Sequence, residues 1–148
     1  IPLRLVGSEM CIRDRCKALL ETRFPDGSEH GAAAMLLEDG TVVTGTAPDM
    51  PNAAVEVCHE IEPYCAAHRL DLKVVASVCL HRRADGRVVV LGPCGVCRER
   101  LAACGPDVQA AVADKDDPTA VVWKRLADLL PDYWLSALTE DAHPGWLR

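Results

Sequence analysis

Two cysteines in the second half of the chain have a spacing suited to metal or redox chemistry. Cys94 and Cys97 stand three positions apart in the segment 92–98 (GPCGVCR), at the start of a predicted helix. Both sulfurs can turn toward one point, and zinc accepts such thiolates at about 2.3 Å. Taken alone, the pair is compatible with half a zinc site, a redox pair, or coincidence in a chain with eight cysteines.

A third cysteine and a carboxylate occur upstream, in Cys58-His59-Glu60. Cys58 can complete a set of three thiolates, which leaves the fourth zinc position free for water, as in catalytic zinc sites. Glu60 is then placed to carry protons beside that water. His59 is adjacent to a ligand position and is expected to point elsewhere.

The two halves together resemble a known pattern, Cys-x-Glu followed later by Pro-Cys-x-x-Cys. It is similar to the signature of zinc nucleobase and nucleoside deaminases, in the Cys-x-Glu form of cytidine deaminases and blasticidin-S deaminases. The resemblance covers roughly residues 31–134. It implies Zn²⁺ bound by Cys58, Cys94 and Cys97, with Glu60 as the catalytic acid and base. It also implies a small-molecule aminopyrimidine or nucleoside as substrate, release of ammonia, and a homotetramer or possibly a dimer.

The same resemblance predicts substrate-binding positions, and there the sequence departs from the family. Cytidine deaminases hold the ribose with an Asn-x-Glu pair before the first cysteine, and the matching positions here are Ala47 and Asp49. Phe24 lies several residues too early to match the family's pyrimidine-stacking Phe. A backbone N–H at the start of the Cys94 helix is expected to contact the reacting hydroxyl. We therefore expect intact chemistry with altered sugar recognition.

Charge compensation for the metal is expected from Arg98. Three thiolates around a divalent zinc carry a formal charge of −1, which weakens the metal as a Lewis acid. Helix N-termini and a nearby cation can offset this charge. Arg98 follows Cys97 directly, whereas many cytidine deaminases have an Arg directly after the catalytic Glu, where this chain has Ile61. The alternative for Arg98 is a surface helix residue.

The composition of the chain bears on whether it binds nucleic acid or a membrane. The 148 residues are enough for one domain, and the net charge of −6 disfavours a nucleic-acid substrate. No apolar run approaches the roughly 20 residues that span a bilayer, and no secretory signal is evident, so a cytoplasmic protein without membrane contact is expected. The alternatives are a non-catalytic zinc-binding fold and, less favoured, a polynucleotide cytosine deaminase.

Periodicity predicts an α/β fold, a three-layer α/β/α sandwich with a mixed sheet of about five strands. Residues 1–15 are expected to be a non-native or disordered leader, and residues 16–148 a single deaminase-like domain. Pro63 requires the second helix either to begin no earlier than Glu60 or to kink. The predicted helices are 16–23, a segment carrying Cys58 and Glu60 to about Leu70, 94–104 and 121–130. The predicted strands are 32–37, 41–46, 72–80, 87–91 and 108–113.

Overall fold

A computed structural model describes residues 3–138 and 143–147 of the chain. Six strands form one mixed sheet, in the order β2-β1-β3-β5-β6, with β4 also paired to β3. The strands are β1 (Gly31–Leu37), β2 (Val42–Gly45), β3 (Val74–Arg82), β4 (Val88–Leu91), β5 (Gln109–Ala113) and β6 (Val121–Arg125). The α-helices are α1 (Leu3–Arg23), α2 (Ile61–Arg69), α3 (Gly95–Ala102) and α4 (Leu126–Leu129), and 3₁₀ turns occur at Ala53–Val55, Trp134–Ala137 and Pro144–Leu147.

The sheet is mixed because β3 has both antiparallel and parallel neighbours. It runs antiparallel to β1 and β4 and parallel to β5. A parallel neighbour requires a crossover, and α3 supplies it between β4 and β5. The β1–β2 and β3–β4 hairpins turn at Asp39-Gly40 and Asp85-Gly86, where both glycines have positive φ as such turns require.

Helices cover both faces of the sheet, which confirms the predicted α/β/α sandwich. On one face, Ile12, Cys16 and Leu20 of α1 pack against alternate residues of β1 and β3. On the other face, Ala67 of α2 and Leu101 of α3 join a second cluster of buried side chains. Alternate strand residues point to opposite faces, so each strand contributes to both cores.

The first helix is longer than the predicted 16–23 and begins at Leu3. Ile12 lies within the 1–15 segment and is fully buried in the α1 core. That residues 1–15 are non-native stays a prediction, since packing does not reveal the origin of a segment.

Two further elements differ from the sequence prediction. Cys58 precedes α2 instead of lying in it, because α2 begins at Ile61. Pro63 therefore falls in the first turn, where its missing N–H removes no helical hydrogen bond. The predicted helix 121–130 is wrong for its first half, which is β6, and only Leu126–Leu129 is helical. None of the described helices has the length and apolar character needed to cross a membrane.

Candidate active site

Two helix beginnings bring the three predicted zinc ligands together. Cys94 is the N-cap residue of α3, and its carbonyl accepts a hydrogen bond from the Arg98 N–H at 2.8 Å. Cys58 lies in the turn before α2, and its carbonyl accepts from the Ile61 N–H at 3.0 Å. Both turns place a sulfur near the positive end of a helix dipole, which favours the thiolate form.

The sulfurs of Cys58, Cys94 and Cys97 all lie within 4.8 Å of one another. The Cys58 and Cys94 sulfurs are 3.3 Å apart. Zinc bonded at about 2.3 Å to tetrahedrally placed thiolates separates its sulfurs by about 3.8 Å. The donor set and its spacing therefore fit zinc. This is the one such group of three or more potential ligands among residues 3–138 and 143–147.

The three thiols differ in acidity. Burial raises the pKa of Cys58, assisted by the neighbouring Cys94 thiol. Burial also raises the pKa of Cys97, which is 2% exposed, and the charge of Glu60 adds to this effect. For Cys94, burial acts in the same direction, but hydrogen bonds from the backbone N–H of Cys97 and from the other two thiols outweigh it, so its pKa is lowered. Of the three thiols, Cys94 is thus the one whose pKa is lowered.

Glu60 is a buried carboxylate beside the sulfurs. It is 5% exposed and accepts a hydrogen bond at 2.7 Å on Oε1 from the hydroxyl of Ser77, on β3. Burial raises the pKa of Glu60, and the contacts with Ser77 and Cys97 and the charge of Arg100 only partly offset this. A carboxyl with a raised pKa exchanges protons more readily near neutral pH, as an acid–base catalyst must.

The guanidinium of Arg98 donates to one backbone carbonyl in the loop 92–94, here called the metal loop, and to another at the end of α4. Its Nε donates to the carbonyl of Pro93 at 2.8 Å, and its Nη1 donates to that of Leu129 at 3.0 Å. These two hydrogen bonds of Arg98 stabilise the turn that carries Cys94. The predicted compensation of the thiolate charge by Arg98 stays a prediction.

The predicted substrate positions Ala47 and Asp49 line two adjoining clefts. The first, here called the Phe24 cleft, also includes Phe24, His30 and Ile61. The rings of Phe24 and His30 are stacked, with centroids 3.9 Å apart and an angle of 10° between their planes. Phe24 therefore borders the same cleft as Asp49, although it lies earlier in the sequence than the family's aromatic residue.

The second cleft, here called the His59 cleft, is more polar. It shares Ala47, Asp49 and His30 with the first and adds His59 and Glu56. The His59 ring lies against Gly31, where an added Cβ would collide with Nε2. Its Nδ1 is buried and has no hydrogen-bond partner within the described part of the chain. As predicted, His59 is not grouped with the three cysteines.

A buried arginine at the end of β3 fixes the aromatic wall of these clefts. Arg82 is 8% exposed, and its Nη1 donates to the carbonyls of Phe24 at 2.9 Å and Ser28 at 3.3 Å. Its backbone N–H donates to the carbonyl of His30 at 2.8 Å. Three hydrogen bonds from one residue hold segment 24–30 against the sheet.

Sequence reasoning missed Ser77, Phe24, His30, Glu56 and Arg82 as site or cleft residues. Ser77 had a signal, because it is the one hydroxyl in the otherwise apolar run 74–80. The other four residues meet only after folding. Arg82, for example, is 58 positions from Phe24.

Comparison with known proteins identifies several cytidine deaminases that are similar to this chain. No family model matches the chain. A cytidine deaminase of Mycobacterium tuberculosis is 36% identical over 101 residues, which cover 68% of this chain and 68% of the relative. The crystal structure of the cytidine deaminase from Bacillus anthracis is 38% identical and superposes with a TM-score of 0.82, covering 95% of this chain and 99% of that one. The crystal structure of cytidine deaminase from Mycobacterium tuberculosis gives a TM-score of 0.55 at 31% identity, over 70% and 77% of the two chains.

Proposed function

Because the chain belongs to the cytidine deaminase superfamily, we propose that it is a zinc-dependent hydrolytic deaminase. Its substrate is a free cytosine-type base, nucleoside or nucleoside analogue. The observation that carries this proposal is the convergence of three cysteine sulfurs beside one buried carboxylate, Glu60. That arrangement combines a metal-binding donor set with a proton carrier.

The metal and the carboxylate have separate parts in the chemistry. Zinc held by Cys58, Cys94 and Cys97 would supply Lewis acidity that makes a water molecule nucleophilic near neutral pH. Glu60 accepts a proton from the attacking water as the water oxygen bonds to C4 of the pyrimidine. Glu60 passes this proton to ring nitrogen N3, accepts the remaining water proton from the hydroxyl now at C4, and delivers it to the exocyclic amine; the C4–N bond breaks as the C4 carbonyl forms, and ammonia leaves. The net reaction is an aminopyrimidine plus water giving the oxo compound plus ammonia.

Backbone groups at the start of α3 assist the same step. A backbone N–H at the Cys94 turn, held in place by Arg98, is suited to donate to the developing oxyanion at C4. Such a donor is fixed before reaction and requires no reorganisation. Arg98 and the N-termini of α2 and α3 reduce the net negative charge of the three thiolates.

The two clefts support a small substrate with altered sugar recognition. Ala47 offers no side-chain hydrogen bond, while Asp49 offers a carboxylate shared by both clefts. The stacked rings of Phe24 and His30 supply an aromatic wall for the Phe24 cleft. We therefore expect cytidine to be a poorer substrate than a cytosine compound whose sugar is absent or changed. A homotetrameric assembly and a cytoplasmic location remain predictions.

The experiment is an ammonia-release screen with zinc-loaded protein. Cytosine, cytidine, 2′-deoxycytidine, cytidine 5′-monophosphate and blasticidin S are compared at equal concentration, with zinc content measured in the same sample. Release of one ammonia per oxo product from at least one unphosphorylated compound supports the proposal. Zinc-loaded protein that releases no ammonia from any of them contradicts it.

A further inference from the structure

We propose that Ser77 is a positioning residue that fixes the Glu60 carboxylate for proton transfer, an inference that rests on the proposed deaminase function. The Ser77 hydroxyl donates to Glu60 Oε1 at 2.7 Å. Ser77 is 2% exposed and Glu60 is 5% exposed, so water competes little for this hydrogen bond. A buried, short hydrogen bond to a carboxylate is among the stronger side-chain contacts.

The backbone of Ser77 is held firmly on both sides. In the sheet register Ser77 lies opposite Met35 of β1 and opposite Ala110 of β5. It is thus one of two β3 residues, with Ala76, that are paired to β1 and β5 at once. A hydroxyl carried by a doubly paired strand has little freedom to shift, which is the requirement for a group that orients another.

Apart from Ser77, the side chain of Glu60 has the Cys97 thiol as its hydrogen-bonding neighbour. Glu60 is the N-cap residue of α2, yet its side chain makes no capping hydrogen bond. Met35, Tyr64, Cys97 and Arg100 surround the carboxylate on the side of α3. Arg100 attracts the carboxylate electrostatically but forms no ion pair with it in the described structure. Without Ser77, the charge of Arg100 draws the carboxylate away from the orientation that the Ser77 hydroxyl holds.

The hydrogen bond from Ser77 gives the two carboxylate oxygens of Glu60 different roles. Ser77 occupies Oε1. Oε2 is therefore the oxygen that faces the reacting groups and moves protons between water, ring nitrogen and leaving amine. A side-chain rotation of Glu60 would disrupt all of these transfers, because they share one oxygen.

The test begins with Ser77→Ala, measured for zinc content, kcat and KM with the best substrate from the screen. Outer hydrogen-bond partners of site residues typically contribute 10–100-fold to activity or metal affinity. We expect kcat to fall about 10–100-fold, with KM changed less than about threefold and zinc content equal to that of the parent. Ser77→Thr keeps the hydroxyl and should recover most of kcat. Ser136→Ala, which removes a hydroxyl bonded to the Tyr133 carbonyl away from the site, is the matched control and should behave as the parent does.

A double-mutant cycle separates positioning from general damage to the fold. In a Glu60→Ala background there is no carboxylate to orient, so adding Ser77→Ala should not lower the residual turnover further. A loss caused by a disturbed sheet would persist in that background. Binding of a reduced pyrimidine nucleoside with a hydroxyl at C4 provides a second readout. It should weaken by a factor similar to the fall in kcat, while the affinity for uridine stays constant.

The outcomes distinguish this proposal from the proposed function. If the parent is inactive on every cytosine compound, both are overturned. If the parent is active and Ser77→Ala keeps kcat within twofold at full zinc content, only the Ser77 assignment is overturned. The Ser77 assignment is also overturned if Ser77→Ala lowers turnover by the same factor in the Glu60→Ala background as in the parent. This comparison can be made even if Ser77→Thr fails to fold.

Discussion

Arg98 Nε donates a hydrogen bond to the carbonyl of Pro93 at 2.8 Å, one residue before the proposed metal ligand Cys94. The same guanidinium reaches the carbonyl of Leu129 at 3.0 Å. The metal loop is thus tied to the end of α4 through one side chain. Two carbonyls approached from different directions suit the planar fork of Arg, and a Lys ammonium does not reproduce that geometry.

We predict that Arg98→Met will weaken zinc binding about 10–100-fold, the usual effect of losing an outer partner of a metal ligand. Arg98→Lys keeps the charge but not both hydrogen bonds, and it should fall between the parent and the Met variant. Competition with a zinc chelator measures the affinity. Equal zinc affinity for all three proteins would show that Arg98 has no influence on the site.

Metal analysis tests the ligand set directly. We expect about one zinc per chain, since the three cysteine sulfurs form one group within 4.8 Å. X-ray absorption should show three sulfur ligands and one light atom, because three protein ligands leave one position for water. Cys58→Ser, Cys94→Ser and Cys97→Ser should each lose most of the metal. A closed four-sulfur site, or two or more nitrogen ligands, would contradict the assignment.

Substrate ranking tests the cleft around Asp49. Because Ala47 cannot hydrogen-bond a hydroxyl, plain cytidine should have a lower kcat/KM than a cytosine compound with an absent or altered sugar. Losing one hydrogen bond costs about 0.5–1.5 kcal/mol, so the effect is a change of rank and not a loss of activity. The measurement is kcat/KM for cytidine, 2′-deoxycytidine, cytosine and blasticidin S, with Asp49→Ala and the isosteric Asp49→Asn as a matched pair. A clear preference for cytidine that Asp49→Ala reduces a hundredfold would contradict this prediction, and would show that Asp49 alone replaces the missing pair.

A pH dependence of stability is expected from Tyr133. Burial, together with a hydrogen bond to Glu99 at 2.9 Å, raises the pKa of Tyr133 to about 12. The unfolded phenol titrates near 10, so between these values the unfolded state releases a proton that the folded state keeps. The contribution of Tyr133 is therefore complete below about pH 10 and is lost as the pH rises toward 12.

Denaturant unfolding of the parent and Tyr133→Phe from pH 8 to pH 12 measures this contribution. The free energy of unfolding of the parent should fall more steeply than that of the variant above about pH 10. Other groups that titrate in this range are common to both proteins, so their effects cancel in the difference. Parallel pH profiles would contradict the prediction.

The main features of the fold follow from local sequence patterns. Asp39-Gly40 and Asp85-Gly86 predict hairpins, and both are present with positive φ at the glycines. Gly105 ends the α3 region at a φ of +104°, as the Gly105-Pro106 pair predicts. These features depend on the conformational preferences of residues that are adjacent in the chain, so they can be predicted from short stretches of sequence.

The wrong helix at 121–130 shows where local patterns fail. Apolar residues at 122, 126, 129 and 130 satisfy a helical period, yet Val121 and Val122 pair with Ala113 and Val112 of β5. β-branched residues suit a strand, and pairing with β5 overrides the helical spacing. In the intervening turn, the carboxylates of Asp114 and Asp117 accept hydrogen bonds from the backbone N–H groups of Asp116 and Thr119, and these contacts are visible only in the structure.

The residues of the candidate site also differ in whether the sequence alone can predict them. Cys58, Glu60, Cys94 and Cys97 are predictable because metal chemistry limits residue types and spacing. Ser77 and Arg82 are not, since a hydroxyl or a guanidinium has many other uses and its partner lies far along the chain. Both residues lie on β3, where Ser77 hydrogen-bonds Glu60 and Arg82 hydrogen-bonds segment 24–30.

Glu60→Gln, loaded with zinc and compared with the zinc-loaded parent in one ammonia-release assay, tests the assignment of Glu60 as the proton carrier. We expect Glu60→Gln to keep its fold and about one zinc per chain but to lose about 10²–10⁴-fold or more in turnover, because one carboxylate serves several proton transfers. A zinc-loaded Glu60→Gln protein that releases ammonia within about tenfold of the parent rate would show that Glu60 is not the proton carrier, because a single lost acid–base group should cost at least about a hundredfold.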